Sequence, residues 1–535
     1  MNKHLILICI GLFIFALIPR AARQDYSTID EAGMWVQRSE VFLDAIQHGK
    51  WGETAQAFHP GVTTMWLGAG GILIDRILYG EGHPLEDEMG YRANIRILMS
   101  VVNSLSITLG FLLLRRLINE PVALGSALLW AGNPFLVAHG GVLHVDGLST
   151  SFMLLSFLTG LIAFHFDRKP YIYNSNTRWK WWIASAILGG LAALTKITTF
   201  AVIGILGFLM LFINWRHLKR GILHKQVGQF ILWGIIAAIT FFILYPAMWQ
   251  NIDLVLERFD SGIEATFGGH WNFFLGERTI NPGPLYYLYT VGFRITPWVM
   301  IGLFLTPYII SRREYRYNQQ VLISLFTFIL CYAAIMIVQR KQQGRYLLQI
   351  YPLMDIFAAI AWIWIIRILS KRFSINLPRS VWIAAILILS INLLSYHPYP
   401  RTYYNPLLGG AKAAENLIMV GDGEGMDKAA TFILNQVDNP CDVQIVSSYK
   451  VVIQINMPCA EIYDADQWPL YIEEADYLVL YINHLQRDFY PVLEDVLTDV
   501  EPIYKAQISG INYAYVYDLK AAEIDWSFID ELLDS

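Results

Sequence analysis

Eleven stretches of this chain are apolar over roughly 20 residues, the length needed to cross about 30 Å of hydrocarbon, and no soluble fold has room for so many. They centre near Gly11, Ser104, Leu129, Leu155, Gly189, Leu206, Ile236, Thr296, Ile329, Ala358 and Ile388. Backbone polar groups inside lipid must bond within their own segment, so the runs read as helices. The composition agrees: 55% of the 535 residues are hydrophobic and 16% charged, against about 25% charged in soluble proteins. The mean hydropathy is +0.41.

With the amino terminus inside, the short even-numbered connections are the basic ones. They carry Arg115 and Arg116; Arg168, Lys169, Arg178 and Lys180; Arg216, Lys219, Arg220 and Lys225; Arg312, Arg313 and Arg316; and Arg367, Lys371, Arg372 and Arg379. This is the distribution expected of cytoplasmic loops. An odd number of spans then places the carboxy-terminal tail outside. The first segment, Lys3 followed by apolar residues from Leu5 to Ile18 and then Ala21-Ala22, has the build of a signal peptide as well as of a span. A retained span is the reading adopted, and the topology downstream is the same either way.

From His397 onward the chain holds 7 Lys+Arg against 23 Asp+Glu, a charge of −16, which leaves +11 on the remainder of a chain whose net charge is −5. Such asymmetry fits a membrane body followed by an acidic, water-soluble domain and argues against nucleic acid as a partner. Helical patterns alternate there with short apolar runs such as Val443 to Val446 and Tyr477 to Tyr481, which predicts a small α/β domain. The domain division is therefore 1–396 for the body and 397–535 for the tail. Gly421-Asp422-Gly423-Glu424-Gly425 has the look of a nucleotide loop but lacks a Lys and a clear preceding strand, so a turn or helix start is the stronger reading. Of four cysteines, Cys9 and Cys331 fall in apolar segments, and Cys441 and Cys459 in the tail, where a disulfide and two free thiols are both open. The cysteines do not suggest a metal site.

Two outer loops are long, 20–91 and 248–284, and loops of this length usually carry function. In the first, Trp35, Val36, Phe42, Leu43 and Ile46 recur at helical spacing before His48-Gly49-Lys50, predicting a helix on the membrane surface. Val62 to Tyr79 forms a second amphipathic stretch.

The residues able to carry chemistry fall on the predicted outer side. Asp30-Glu31 stands at a helix start, where acids complement the helix dipole, yet one carboxylate could equally take a proton from an attacking hydroxyl. Asp146 follows His144 at the head of the fourth span, placed to cap that helix and also to face a cavity. Lys196 ends the fifth span, where snorkelling alone would explain it. Arg340, Lys341 and Arg345 concentrate positive charge in an outer loop against the prevailing bias, which suits a phosphate or diphosphate. His59-Pro60-Gly61 and His270-Trp271 complete the inventory, as aromatic faces that suit sugar rings and also collect at any membrane interface.

Taken in order, these elements resemble the class C (GT-C) glycosyltransferases, specifically glycosyltransferase family 39, over Asp30 to Pro352. Asp30-Glu31 matches the early Asp-Glu of the first outer loop. His59-Pro60-Gly61 with Trp66 echoes a Pro-Pro element before an aromatic helix. Asp146 matches a second acidic site after the third span, and Thr195-Lys196 a Leu-Thr-Lys closing the fifth. Arg345-Tyr346-Leu347-Leu348-Gln349-Ile350-Tyr351-Pro352 is close to Arg-Tyr-Leu-Leu-Pro-x-Tyr-Pro. Departures are His59 where Lys is common, Gly61 in place of the second Pro, and a tail unlike the β-trefoil of protein mannosyltransferases. Residues 403–410 and beyond look like tails of uncharacterised bacterial members, a similarity that carries no activity.

The resemblance implies a polytopic α-helical membrane protein of GT-C type, with about 11 transmembrane helices and a C-terminal extracytoplasmic α/β domain, in a prokaryotic plasma membrane. It implies an inverting transfer from a polyprenyl-phosphate sugar to a hydroxyl of a lipid, glycan or protein acceptor. Asp30, Glu31 and Asp146 would be catalytic. Arg345, Lys196, His59, Arg340 and Lys341 would hold the donor phosphate, and Tyr346, His144, His270 and Trp271 the substrate. No cofactor is required by this chemistry; a divalent metal is compatible with it but unsupported by the sequence. The rival is a secondary transporter or lipid flippase, whose ionisable groups would lie near the midplane.

Overall fold

The computed structural model describes residues 3–22, 26–80, 83–84, 87–167, 178–214, 220–311, 319–373, 379–522, 524, 526–527 and 529. Arg168, Lys169, Arg216, Lys219, Arg312, Arg313 and Arg316, expected in inner loops, lie outside them.

Helix α1 (Lys3–Ala21) leads into a π-helical turn (Glu31–Trp35) and α2 (Val36–Gln47), then α3 (Val62–Tyr79), α4 (Glu88–Leu117), α5 (Glu120–Gly132), α6 (Pro134–Gly140), α7 (Val145–Ala163) and α8 (Trp179–Thr195). After α9 (Ala201–Asn214) and α10 (Arg220–Leu244) come a single turn α11 (Ala247–Gln250), α12 (Ile252–Gly268) and a hairpin of β1 (Asn272–Phe274) and β2 (Glu277–Thr279). The body ends with α13 (Leu285–Arg294), α14 (Pro297–Ile310), α15 (Gln319–Val338), a 3-10 segment (Gly344–Ile350), α16 (Tyr351–Phe373) and α17 (Arg379–Leu394).

Among the described residues six helices are long and apolar enough to cross a membrane, or up to eight if each of two bent pairs is one span. The bends have local causes. Asn133 accepts from the amides of Phe135 and Leu136 and is followed by Pro134 at the first helical position, so α6 restarts at 69° to α5. Between α13 and α14 it is Pro297 at the first helical position that restarts the helix, at 120° and without a side-chain cap from Thr296. Eight of the eleven expected centres fall on these spans and bent pairs, Thr296 at the second break; Leu206 and Ile388 lie on shorter apolar helices and Gly189 on the 17-residue α8, so eleven spans are not all matched by helices of crossing length. The protein is thus a multi-pass membrane protein with broad apolar surfaces, Ile77, Phe304 and Val338 among them. α1 is tied to the body by the buried Arg20, which donates to Ala131 O and Trp130 O at the end of α5.

The first long outer loop differs from expectation in one respect. α2 does not merely lie on a surface: Trp35, Phe42 and Leu43 are buried in a cluster shared with Val62, Met65 and Ala69 of α3. The apolar face is spent on a helix partner.

The tail contains α18 (Gly410–Leu417), α19 (Met426–Leu434), β3 (Gln444–Ser447), α20 (Lys450–Asn456), β4 (Glu461–Asp464), α21 (Trp468–Tyr471), β5 (Tyr477–Tyr481), α22 (Ile482–Leu485), α23 (Pro491–Val496), β6 (Tyr504–Ile508) and β7 (Ile511–Asp518). The sheet order is β4-β3-β5-β7-β6, with β3 parallel to β4 and β5, and β7 antiparallel to its neighbours. β5 is buried at every position, as a central strand covered on both faces should be. Cys441 and Cys459 are joined in a disulfide that closes the segment leading through β3 and α20 to β4.

Candidate active site under the carboxy-terminal domain

The wide π-helical turn sends two adjacent carboxylates to different places. Glu31 turns inward and is fully buried. Its oxygens accept from Arg96 at 2.8 and 2.5 Å, from the Leu143 amide at 2.9 Å and from Ser27 Oγ at 3.0 Å. Burial acts to raise the Glu31 pKa, but Arg96 overrides it and holds the carboxyl ionised. Glu31 therefore pins the turn to α4 and to the start of α7.

Asp30 faces the other way. Its Oδ2 lies 2.5 Å from Arg345 Nη1 and 3.3 Å from His144 Nε2. Arg345 Nε approaches Asp146 Oδ2 at 3.5 Å, and the other Asp146 oxygen accepts from Lys196 Nζ at 2.6 Å. The result is a chain of alternating charge, Asp30–Arg345–Asp146–Lys196, drawn from four separate segments. Lys196 also sits 4.3 Å from the centre of the Tyr346 ring, a cation–π contact. Burial opposes ionisation of Asp30, yet Arg345 and His144 together hold it well below the usual carboxylate range.

His144, not Asp146, caps α7. Its Nδ1 accepts from the Asp146 amide at 3.3 Å, and Asp146 sits inside the first turn. A neutral imidazole accepting there carries its proton on Nε2, aimed at Asp30. Burial disfavours a second proton, but Asp146 and Asp30 outweigh it and raise the His144 pKa. Gln349 reaches Ser149 Oγ at 2.9 Å and so ties the 3-10 segment carrying Arg345 and Tyr346 to the first turn of α7.

Above this centre lies a cavity of about 340 Å³, with Asp30, Arg345 and His139 among its floor residues and the tail as its roof. Met419, Asp422, Glu424, Tyr449, Asn483 and Arg487 all line it. The loop Gly421–Gly425 leads into α19. Its three glycines have φ of 88°, 113° and 87°, in the left-handed region. At Gly423 a Cβ would stand 2.6 Å from Ser27 O, so a side chain there would drive the tail off the body. The Ile29 amide donates to Asp422 O at 3.2 Å. The Asp422 carboxylate contacts Arg401 and lies 3.5 Å from Arg345. Burial raises its pKa to about 6, with Asp30 and Glu424 adding to the rise against Arg401 and Arg345.

A second, much smaller space of about 10 Å³, enough for a single water, is lined by His59, Lys196, Lys341 and Tyr346 with Phe58 and Thr198. Gly61 brings His59 there. It adopts φ 58°, donates to Thr195 O at 3.2 Å, and has no room for a Cβ against the Trp35 ring. Burial, then Lys196, lowers the His59 pKa to about 3, so at neutral pH it is an uncharged hydrogen-bonding group. Burial and Arg345 also lower the Lys341 pKa.

Three expected residues stand apart. Arg340 is exposed and lines neither space. His270 contacts Gln343 at 3.2 Å and reaches the cavity only through it, with a pKa lowered to about 4 chiefly by burial. Trp271 is exposed beneath Arg278, whose guanidinium stacks at 3.9 Å and donates to Asp488 O. The residues that sequence reasoning missed are Arg294, Arg401, Asp422, Tyr449 and Arg487. Arg401 had a signal: it is a rare base in an acidic tail, immediately after the last apolar run. Among the described residues no group of three or more His, Cys, Asp or Glu is arranged to hold a metal ion.

Residues 90–245 match the family model described as Dolichyl-phosphate-mannose-protein mannosyltransferase, a region that includes Asp146 and Lys196 but not Asp30 or Arg345. No curated protein matches the chain by sequence. Among solved structures, ArnT from Cupriavidus metallidurans in the apo state is similar over 96% of this chain and 97% of its own, at 14% identity and TM-score 0.52. The same protein bound to undecaprenyl phosphate is similar over 97% and 98%, at 13% identity and TM-score 0.52. The apo oligosaccharyltransferase from Archaeoglobus fulgidus is similar over 92% of this chain and 71% of its own, at 12% identity and TM-score 0.50. The family match spans under a third of the chain, and the structural similarity over nearly its whole length shows a fold shared with ArnT.

Proposed function

We propose that the chain is an inverting membrane glycosyltransferase that moves a sugar from a polyprenyl-phosphate donor to an acceptor hydroxyl. The observation that carries this is the contact of Asp30 with Arg345 at the floor of a cavity, a base held beside a phosphate-binding cation. The similarity of the fold to ArnT, solved with undecaprenyl phosphate bound, supports a lipid phosphate as the donor's carrier.

Asp30 removes the proton from the acceptor hydroxyl as its oxygen attacks the anomeric carbon. The bond from that carbon to the phosphate oxygen breaks, and the lipid phosphate leaves with the electron pair, the configuration inverted by the single displacement. Arg345 and Lys196 meet the growing negative charge, with Lys341 and the neutral His59 beside them. Asp146 holds both cations in place, and Glu31 acts by fixing the turn that presents Asp30. In the ligand-free geometry Arg345 suppresses the basicity of Asp30. A donor phosphate that takes over Arg345 restores it, so the base becomes effective when the donor is bound. The scheme needs no cofactor.

The division into a body of 1–396 and a tail of 397–535 belongs to this reading, with the tail covering the site. A disulfide between Cys441 and Cys459 is the chemistry of an oxidising compartment, which favours an extracytoplasmic tail, here outside a prokaryotic plasma membrane. The test is a turnover screen of the purified chain in nanodiscs with radiolabelled polyprenyl-phosphate sugars. Release or transfer of sugar supports the reading. No turnover with any donor, together with counterflow of the same lipid in liposomes, would favour the transporter.

A further inference from the structure

The roof of the large cavity has features that the floor's chemistry does not use. Besides Arg345 Nε on the floor, four of the lining side chains carry a buried polar atom with no hydrogen-bond partner among the described residues: Gln343 Oε1, Arg401 Nε, Glu424 Oε1 and His484 Nδ1. Arg401, Glu424 and His484 are each more than nine-tenths buried. Buried polar atoms are normally paired, so each of these lacks a partner that the fold itself does not supply. The set is mixed: two acceptors, one donor, and a ring nitrogen able to play either part. Beside them stand aromatic faces, Tyr449 at 4.7 Å and Phe489 at 5.3 Å from the His484 ring.

A sugar ring matches this description. Each hydroxyl both donates and accepts, and its C–H face packs on an aromatic ring. An acyl chain would want an apolar lining, which is found elsewhere, in the groove of Phe15, Ile18, Val137 and Leu393. The space of about 340 Å³ is at the lower end of ordinary small-ligand sites. Asp30 lines this cavity while Lys196 and Lys341 line the smaller space, so what binds under the roof reaches the base without meeting those two cations.

We infer that the carboxy-terminal domain forms a carbohydrate subsite, with Glu424, His484 and Tyr449 as its main contacts, and that the acceptor is a sugar hydroxyl of a glycan. This rests on the transferase reading for the word acceptor, but the subsite stands on its own atoms.

The experiment is saturation-transfer NMR on the full chain in nanodiscs, with a panel of hexoses, hexosamines, N-acetylhexosamines and their methyl glycosides, and a Ser/Thr-containing peptide pool in parallel. Wild type, His484→Gln and Glu424→Gln are compared, each checked by thermal melting. Donor hydrolysis, the release of sugar to water from a labelled polyprenyl-phosphate sugar, is measured on the same samples. Transfer to at least one saccharide, weakened about fivefold or more in either variant while donor hydrolysis stays within about twofold, is the expected result. Absence of signal from every saccharide, saturation of the peptides instead, or equal signals in all three proteins would overturn the subsite. Absence of donor hydrolysis in the wild type would overturn the transferase reading and leave the subsite to be judged by the NMR alone. If an additional variant, Tyr449→Phe, keeps the saccharide signal while Tyr449→Ala loses it, the ring and not its hydroxyl makes the contact; loss in neither would remove Tyr449 from the site.

Discussion

Asp30 Oδ2 and Arg345 Nη1 meet at 2.5 Å, one from a π-helical turn after the first span and the other from the 3-10 segment that feeds α16. The pair couples donor binding to base strength, since whatever anion takes Arg345 changes what Asp30 can do.

That coupling predicts two separate acid limbs. In kcat/KM, which reports the free enzyme, Asp30 ionises well below the ordinary carboxylate range because Arg345 holds it there. In kcat, which reports the donor complex, the limb moves up in pH as the phosphate engages Arg345. Arg345→Gln should raise the kcat/KM limb toward the usual carboxylate range and cost on the order of 10²–10³ in turnover. pH–rate profiles of the two proteins check both.

Glu31 should behave as a structural residue despite its place beside the base. Its removal breaks the ion pair with the buried Arg96, and breaking a buried pair costs about 3–5 kcal/mol. Glu31→Gln should therefore lower the thermal midpoint strongly while turnover per folded molecule falls by less than about tenfold. Differential scanning fluorimetry beside the turnover assay separates the two effects.

Much of the body was legible in the sequence because lipid imposes one rule on every span, and the apolar centres from Gly11 to Ile388 follow from it. The order Asp30, Asp146, Lys196, Arg345 was legible as a set of charges flanking apolar segments, though not as a chain of contacts, since pairing across four segments has no local signature. The divergence of Asp30 and Glu31 was hidden because it depends on a π-helical turn, and His144 took the cap expected of Asp146. Asp422 was invisible as a site residue. Its loop reads as a turn, and only the docking of Gly423 against Ser27 carries it to Arg345.

Asp422 should titrate where the floor carboxylate Asp30 does not. Its pKa stands at about 6, above the ordinary 3.8, so protonation is favoured in the folded state. The stability this contributes is complete below about pH 4 and is lost as the pH rises through 6. The melting midpoint of the wild type should thus fall relative to Asp422→Asn between pH 4 and 6 and run parallel above. A neutral Asp422 also frees Arg345, so donor binding should strengthen below pH 6 in the wild type and stay flat in the variant. Parallel melting and binding curves across the whole range would contradict both statements.

The tail should depend on its disulfide. The bond closes a segment with a sequence separation of 18, for which the chain-entropy account gives about 3 kcal/mol. Cys441→Ser with Cys459→Ser should destabilise the tail by about that much and expose it to proteolysis, while the body stays intact. Limited proteolysis followed by gel analysis reads this directly. In the unreduced, denatured wild type, maleimide should label Cys9 and Cys331 alone.

The most direct test of the central claim is single-turnover transfer with donor prebound, in wild type and Asp30→Asn. Removal of a general base costs on the order of 10²–10⁴ in rate. The account predicts that the variant binds the lipid donor as tightly as the wild type or more tightly, with Arg345 released from its partner, and transfers its sugar at least 10²-fold more slowly. Transfer at the wild-type rate by Asp30→Asn would contradict it.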